Sequence, residues 1–463
     1  MSPKVHASLA GSSISARLNR LPVTRAHKRI IVIIALGTFF EIYELFLSGV
    51  LATTLSSEFR LGGTGLSLVL ASPFLGAFLG AVVIGPVADR FGRRKAYMIT
   101  LALYSAATLA AAFSSDLWML VACRFIAGVG LGGELPVTDS FLGEILPAKR
   151  RGYFAAWAFT VAYTAVPVVG FLGLGMTAAA PWGIAGWRWM FAFGAAGAII
   201  TFLVRRQLPE SPRWLQTVGR AAEAEEVTHR LEEASRSEGW DGAEAVEPAD
   251  STLPQATPLP ASALLRRPLV QRTVLMALVW ILAVIGYHGF SSVATLALTE
   301  RGFTVTSSLL YTSLAFIGYP VGSAVSMWLM ERMERKLLLG GSLALMAVLG
   351  IVFGNAQDPT VIVVFGFCFT VVANVMSNAT HVYQLEQFPT GIRTTATGWL
   401  YSLGRLSTAV APFYLVPLLQ HAGSGAVFTL VGAACLVAAL AVVVAGVRTT
   451  GLSVEEISPE LRS

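Results

Sequence analysis

Gly85-Pro86-Val87-Ala88-Asp89-Arg90-Phe91-Gly92-Arg93-Arg94-Lys95 packs one carboxylate, a turn glycine and four cations into a short loop between two long apolar runs. A degenerate copy, Glu331-Arg332-Met333-Glu334-Arg335-Lys336, follows 242 residues later (89 to 331). A second loop recurs at the same spacing (144 to 386). Glu144-Ile145-Leu146-Pro147-Ala148-Lys149-Arg150-Arg151 and Glu386-Gln387-Phe388-Pro389-Thr390-Gly391-Ile392-Arg393 both read Glu-x-x-Pro-x-x-x-Arg. Two independent loops sharing one offset mark a duplicated membrane bundle with parallel repeats, an architecture of transporters.

Composition agrees. The 463 residues are 55% hydrophobic and 13% charged, against about 25% charged in ordinary soluble domains. The net charge is +6 and the pI about 9.3. The cations sit in short loops between apolar runs, so topology explains them better than nucleic-acid binding, for which no basic face interleaved with aromatics exists. Cys123, Cys368 and Cys435 lie far apart inside apolar segments, which implies neither a disulfide framework nor a metal site. Residues 1–29 are polar and basic, and the first apolar run is too long for a cleaved signal, so it reads as a retained span.

Runs of about 20 apolar residues, enough to cross a bilayer core, fall at 30–51, 66–88, 96–113, 117–142, 153–178 and 189–204. A second set falls at 273–298, 308–330, 337–353, 360–383, 394–419 and 426–447. The expectation is an all-α integral membrane protein of twelve transmembrane helices in two parallel six-helix repeats. It divides into an N-terminal tail (1–29), a first bundle (30–204), a linker (205–272), a second bundle (273–447) and a C-terminal tail (448–463). Lys and Arg crowd alternate loops, so both termini and the linker are expected in the cytoplasm of a cell-membrane protein. Trp118, Trp182, Trp187 and Trp189 sit at the opposite ends, as an aromatic belt does. Within the linker, Ala221–Ser235 has the composition of an amphipathic helix whose acidic run is expected to be a solvated face, and 241–259 that of disorder.

Gly85-x-x-x-Asp89-Arg90-x-Gly92-Arg93-Arg94 resembles the signature loop of the major facilitator superfamily. The run Arg124-Phe125-Ile126-Ala127-Gly128-Val129-Gly130-Leu131-Gly132-Gly133-Glu134-Leu135-Pro136 is similar to the fourth-span motif of its sugar-porter and metabolite:proton symporter branches. Pro209-Glu210-Ser211-Pro212-Arg213-Trp214-Leu215 is similar to the sequence after the sixth span in those branches. The Gly-Gly-Glu-Leu-Pro run leans toward the metabolite side, which includes niacin and aromatic-acid carriers. The second signature loop departs from the pattern, with Glu334 in place of the glycine. The resemblance implies a first-span carboxylate facing a fourth-span arginine.

The loops have their own physics. Gly92 permits a tight turn, and a carboxylate beside it caps a helix or pairs with arginine. Asp89, Arg90, Gly92, Arg93, Glu144 and Arg151, with Glu331, Arg335, Glu386 and Arg393, are candidates for a conformational latch. The plainer alternative is topology signalling by cations alone. Gly76, Gly80, Gly128, Gly132 and Gly170 read as close-packing positions.

Ionisable residues inside spans are expensive and point to function. Glu41 and Glu44 are three apart on one helix face. They lie roughly 13 and 9 Å below the outer boundary, and Arg124 roughly 10 Å below it. A desolvated carboxylate beside an arginine can switch protonation as the site opens to either side. Glu41, Glu44 and Arg124 are therefore the proton-coupling candidates, the alternative being a static buried pair. Glu134 and Asp139 lie nearer the inside and either relay protons or join the latch. Arg405 lies roughly 18 Å into the eleventh span with no acid in that span, and an unpaired buried arginine calls for an anion. Arg124 and Arg405 could flank a substrate carboxylate, with Tyr287, His288, Asn374, Tyr163 and Trp399 completing the cavity.

The reading is a secondary active transporter that couples a small organic acid, aromatic or nicotinate-like, to protons by alternating access. A sugar or polyol carrier, a drug:proton antiporter and a transporter-like sensor are the rivals. No Ser-His-Asp set, metal spacing or phosphate loop marks an enzyme. No cofactor is expected beyond the proton gradient as energy source. The expected partners are a small molecule, protons and the bilayer, with no nucleic acid and no obligate protein partner.

Overall fold

A computed structural model describes residues 14–147, 150–177, 179–240, 260–267, 269–389 and 392–449, the side chains of 89, 135, 136, 151 and 394 excepted. It is all helical among those residues. The first six spans are Arg25–Val50, Gly63–Phe91, Arg93–Ala112, Leu117–Ile145, Arg151–Thr177 and Gly186–Arg205. The next four are Leu269–Glu300, Val305–Arg332, Arg335–Asn355 and Pro359–Gln387. A last apolar stretch, Thr395–Ala445, is 51 residues long. A straight helix of that length would measure about 77 Å, over twice a bilayer core. The chain reverses at Gly423, whose φ of 76° falls where only glycine is at ease. That turn separates the eleventh and twelfth spans.

The boundaries follow local chemistry. Asp116 caps the fourth span by accepting from Met119 N (3.0 Å), and Asp358 caps the tenth by accepting from Thr360 N (2.8 Å) and Val361 N (3.1 Å). These two caps stand at the 242-residue offset as well. The fifth span breaks at Thr164, three residues before Pro167, and the eighth at Ile317, three before Pro320, as a proline that clashes with the preceding turn requires.

The two halves meet along two seams, the fifth span against the eighth and the second against the eleventh. Within the first half, the second and fourth spans touch backbone to backbone. A methyl at Gly76, Gly80, Gly128 or Gly132 would strike Phe125 O, Val129 O, Pro73 O or Ala77 O. Gly170 lies against Ser313 across a seam. Outward, Val82, Ile200, Leu203, Val348, Leu440 and Val444 are more than half exposed. Apolar exposure on that scale suits lipid rather than water. Trp118 and Trp182 join that outer surface, but Trp187 is buried against Phe59 and Phe191 and belongs to the core, not to a belt.

The N-terminal tail and the linker depart from expectation. Ile14–Arg20 is helical and folds against linker helices Pro212–Thr217 and Ala221–Ser237. Ile14, Leu18, Leu21, Trp214, Leu215, Ala224 and Leu231 form a small core there. Arg17 donates to both oxygens of Glu232 (2.7 and 3.0 Å) and to Glu225 (2.5 Å). The hydrogen bond it donates to Glu232 holds the Arg17 guanidinium above its ordinary pKa. Glu232 is 2% exposed, so one member of the acidic run is a buried partner, not part of a solvated face. The segments 1–13, 241–259 and 450–463 lie outside the described residues.

Candidate functional site

The first half buries two ion pairs. Arg124 places Nη1 2.5 Å from Glu44 Oε2, Nη2 2.8 Å from the Glu44 carbonyl and Nε 3.1 Å from Ser48 Oγ. Both residues are fully buried. All three guanidinium nitrogens are thus engaged by the first span, which removes Arg124 from the expected substrate contacts and leaves it as the partner of Glu44. The second pair is Glu134 with Arg205, again fully buried. Arg205 lies 4.3 Å over the Tyr97 ring, and the Tyr97 hydroxyl reaches Thr138 Oγ1 at 3.0 Å. Sequence reasoning left Arg205 at the edge of the linker. The available signal was Glu134 itself, a buried acid needing a cation at its own depth.

Glu41 differs from both. It is fully buried, and neither carboxylate oxygen has a hydrogen-bond partner. Its electrostatic neighbours are Glu134, Arg405, Arg205 and Asp139. Asp139 is exposed, yet it interacts with Glu41 and, across the halves, with Tyr401.

In the second half, Arg405 is 6% exposed. Its Nη2 donates to the Tyr401 hydroxyl, and the guanidinium lies 4.8 Å over that ring. Nε and Nη1 are buried without a partner. An aromatic wall stands behind Tyr401: Trp280 at 5.6 Å and His381 at 6.1 Å, with Trp280 Nε1 donating to Gln384 Oε1. The sequence reading missed Trp280, His381 and Gln384, because apolar helices give no sign of which face meets the eleventh span. Trp399 is corrected in the other direction. It is 59% exposed, since two residues turn a helix by roughly 200° and Tyr401 takes the inner face.

The remaining candidates gather in an aromatic plug. His288 packs on Phe46, Phe74 and Tyr287, and Tyr163 stacks on Tyr319 across the halves. Asn374 accepts from the Tyr287 hydroxyl (3.3 Å) and donates to the Tyr319 carbonyl (2.7 Å). Above the plug, Gly49 abuts the Ser291 backbone, so the first and seventh spans close the side opposite the basic loops.

The basic loops are paired within each half. Arg93 binds Glu144 through Nη2 (2.9 Å) and Nε (3.2 Å). Arg335 approaches Glu386 at 3.4 Å, and Arg393 Nε donates to the Phe388 carbonyl (3.1 Å). Glu210 accepts from the backbone of Arg93 (3.0 Å) and Arg94 (3.2 Å), filling the space beside Gly92. Burial outweighs these donors and pushes the Glu210 carboxyl above its ordinary pKa. Arg90 and Glu331 are exposed and form no ion pair among the described residues. The side chains of Asp89 and Arg151 lie outside that set. Among the described residues the Arg93–Glu144 and Arg335–Glu386 pairs each lie within one half.

Two six-helix repeats around a midplane cluster of buried charges define a secondary transporter of the major facilitator type. The family described as "Sugar (and other) transporter" matches residues 30–461, and the chain belongs to it; its members are transporters, not enzymes. The niacin transporter NiaP of Acinetobacter baylyi is 30% identical over 449 residues, covering 96% of this chain and 99% of NiaP. The inner membrane metabolite transport protein YdjE of Escherichia coli is 30% identical over 463 aligned residues, covering 96% and 98%. The partially occluded inward open structure of the xylose transporter XylE from E. coli superposes with a TM-score of 0.73 at 19% identity, covering 92% and 99%. At that identity the likeness concerns the fold.

Proposed function

We propose that this transporter couples protons to the entry of a small organic acid, aromatic or nicotinate-like. Its basic loops and both termini lie in the cytoplasm, and it works by alternating access. The observation that carries the reading is Arg405, a buried guanidinium with two N–H-bearing nitrogens unpartnered and an aromatic wall beside it. A carboxylate satisfies such a fork bidentately, and Trp280 and Tyr401 offer faces to a flat ring. A neutral sugar would offer Nε and Nη1 no charged acceptor. The similarity to NiaP supports the acid. The fold shared with XylE keeps sugar:proton symport as the second reading.

The test is uptake of radiolabelled nicotinate, benzoate, glucose and xylose into proteoliposomes, with and without an imposed proton gradient. Accumulation of the acids that collapses with a protonophore is expected. Sugar accumulation in its place overturns the acid reading.

A further inference from the structure

Between the fifth and sixth spans, on the side opposite the basic loops, lies a groove of about 480 Å³. Leu172 and Met176 line it from the fifth span, and Trp189 and Phe193 from the sixth. Ala192 and Ala196, small residues on the same stretch of the sixth span, leave the room. The volume lies within the range of about 300–1,000 Å³ that small-ligand sites occupy. The lining is almost wholly apolar, and among the described residues it contains no Lys or Arg.

The groove is continuous with the surface that faces lipid. Phe171, Phe193, Ile199 and Ile200 on the same two helices are 41–54% exposed. The sixth span starts at Gly186. From there to Ala196 (186 to 196) the helix rises about 15 Å, half of a roughly 30 Å hydrocarbon core. The groove therefore reaches through one leaflet. Left empty, it would forfeit dispersion contacts along its walls, and its apolar lining gives water nothing to bond. The flexible apolar group that a bilayer supplies at that depth is an acyl chain.

Two tryptophans stand at its mouth. Trp182, in the turn Pro181–Gly183, has φ of 53°, a left-handed backbone that a bulky residue adopts only at a cost. Its ring meets that of Trp189 edge-on, with centroids 5.0 Å apart, and both line the groove. The Trp189 Nε1 is buried without a partner. Indoles at a membrane boundary sit at headgroup level with the ring toward the chains, where a glycerol ester carbonyl can accept from such an N–H.

We propose that this groove is a lipid site: it holds one acyl chain of a phospholipid from the leaflet opposite the basic loops, with Trp182 folded over the chain and no selection of the headgroup. Its inner side backs onto the first span. The Tyr43 hydroxyl donates to the Met190 carbonyl (3.0 Å), its ring lies 5.4 Å from Phe193, and Gly194 abuts the Glu44 carboxylate. A bound chain thus thickens the apolar layer outside the buried Glu44–Arg124 pair. The site is independent of the cargo, acid or sugar.

The experiment is native mass spectrometry of the full-length protein in detergent, titrated with dioleoylphosphatidylcholine, dioleoylphosphatidylglycerol or dihexanoylphosphatidylcholine. The wild type is expected to retain a single dioleoyl lipid, with equal affinity for the two headgroups, and to release the short-chain lipid. Ala196→Phe fills the groove from a lipid-facing position and should bind the dioleoyl lipids about tenfold more weakly at an unchanged melting temperature. Should Ala196→Phe fail to fold, Trp182→Gly serves in its place: it suits the left-handed turn, removes the cover and should also weaken retention. Retention as tight as wild type in a folded Ala196→Phe or Trp182→Gly protein overturns the proposal. So does retention that follows the headgroup, which would place the lipid on a charged surface, or dihexanoyl lipid held as tightly as dioleoyl, which would mean no chain-length site exists.

Discussion

The first half buries Glu41, Glu44, Arg124, Glu134 and Arg205, while the second buries Arg405 amid Trp280, His381, Tyr401 and Gln384. At the 242-residue offset the first set corresponds to Ala283, Gly286, Gly366, Met376 and Val447, and Arg405 corresponds to Tyr163. Both halves form the same six helices. The second does so without a single one of the first half's buried charges, so those charges are not what the bundle needs in order to fold. They are retained at a desolvation cost in one repeat only, which fits the proposed division of proton coupling to the first half and cargo binding to the second.

Four changes test that division, the largest effect first. Arg405→Ala should weaken benzoate binding by about a hundredfold, in line with loss of a buried charge-assisted contact, and leave benzamide nearly untouched. Equal losses in calorimetric titrations of the two would take the cargo site away from Arg405. Next, Arg124→Met should destabilise the detergent-solubilised protein by about 3–5 kcal/mol, because it strands Glu44. The double variant Glu44→Leu/Arg124→Met should recover most of that stability in chemical denaturation while transport stays lost. A double variant as unstable as the single would mean that the pair holds the fold after all.

The third change concerns the basic face. Gly92 has φ of 101°, with the Glu210 carboxylate filling the space a side chain would take. Its counterpart is Glu334, whose own carboxylate accepts from Thr449 N at 3.2 Å. The acid is brought in from the linker in one half and grown from the loop in the other. Gly92→Ala should cost about 1–2 kcal/mol from backbone handedness alone, more with the clash, and Glu334→Gly appreciably less. Thermal shifts of equal size would dissolve the distinction.

The smallest effect belongs to the two exposed caps. Backbone hydrogen bonds from Met119 and Val361 hold the carboxyls of Asp116 and Asp358 below their ordinary pKa. A folded pKa below the unfolded one contributes stability above the unfolded value, about 3.9, and loses it as pH falls through the folded value. Melting curves between pH 5 and 3 should therefore flatten slightly in Asp116→Asn and Asp358→Asn, and alike in both. A change in only one would show the caps to be unequal.

The twelve spans and both repeated loops were legible in the sequence, because a bilayer demands about 20 apolar residues per crossing and leaves cations in the loops. The depth match of Glu44 and Arg124 was legible too, since it needs only helix rise. What escaped depended on which helix packs beside which. Arg205 looked like the end of a span until the sixth helix was laid against the third, where its guanidinium meets Tyr97 and Glu134. Trp280 and His381 looked like two more apolar-run aromatics until the seventh and tenth spans met the eleventh. The docked Ile14–Arg20 helix was hidden because its partners lie some 200 residues away.

The glycine stripe between the second and fourth spans has a mechanical meaning. With peptide against peptide at four positions, little side-chain matter cushions those helices along the stripe, and the two are expected to move as a single stiff strut. One end of the strut's chemistry is the fourth span, which bears Arg124, Glu134 and Asp139; the other is the second span, which bears on the eleventh along the seam. A tilt imposed on the fourth span by a change of charge would therefore carry the second span with it against the helix that holds Arg405, as a lever delivers force to a load it does not touch.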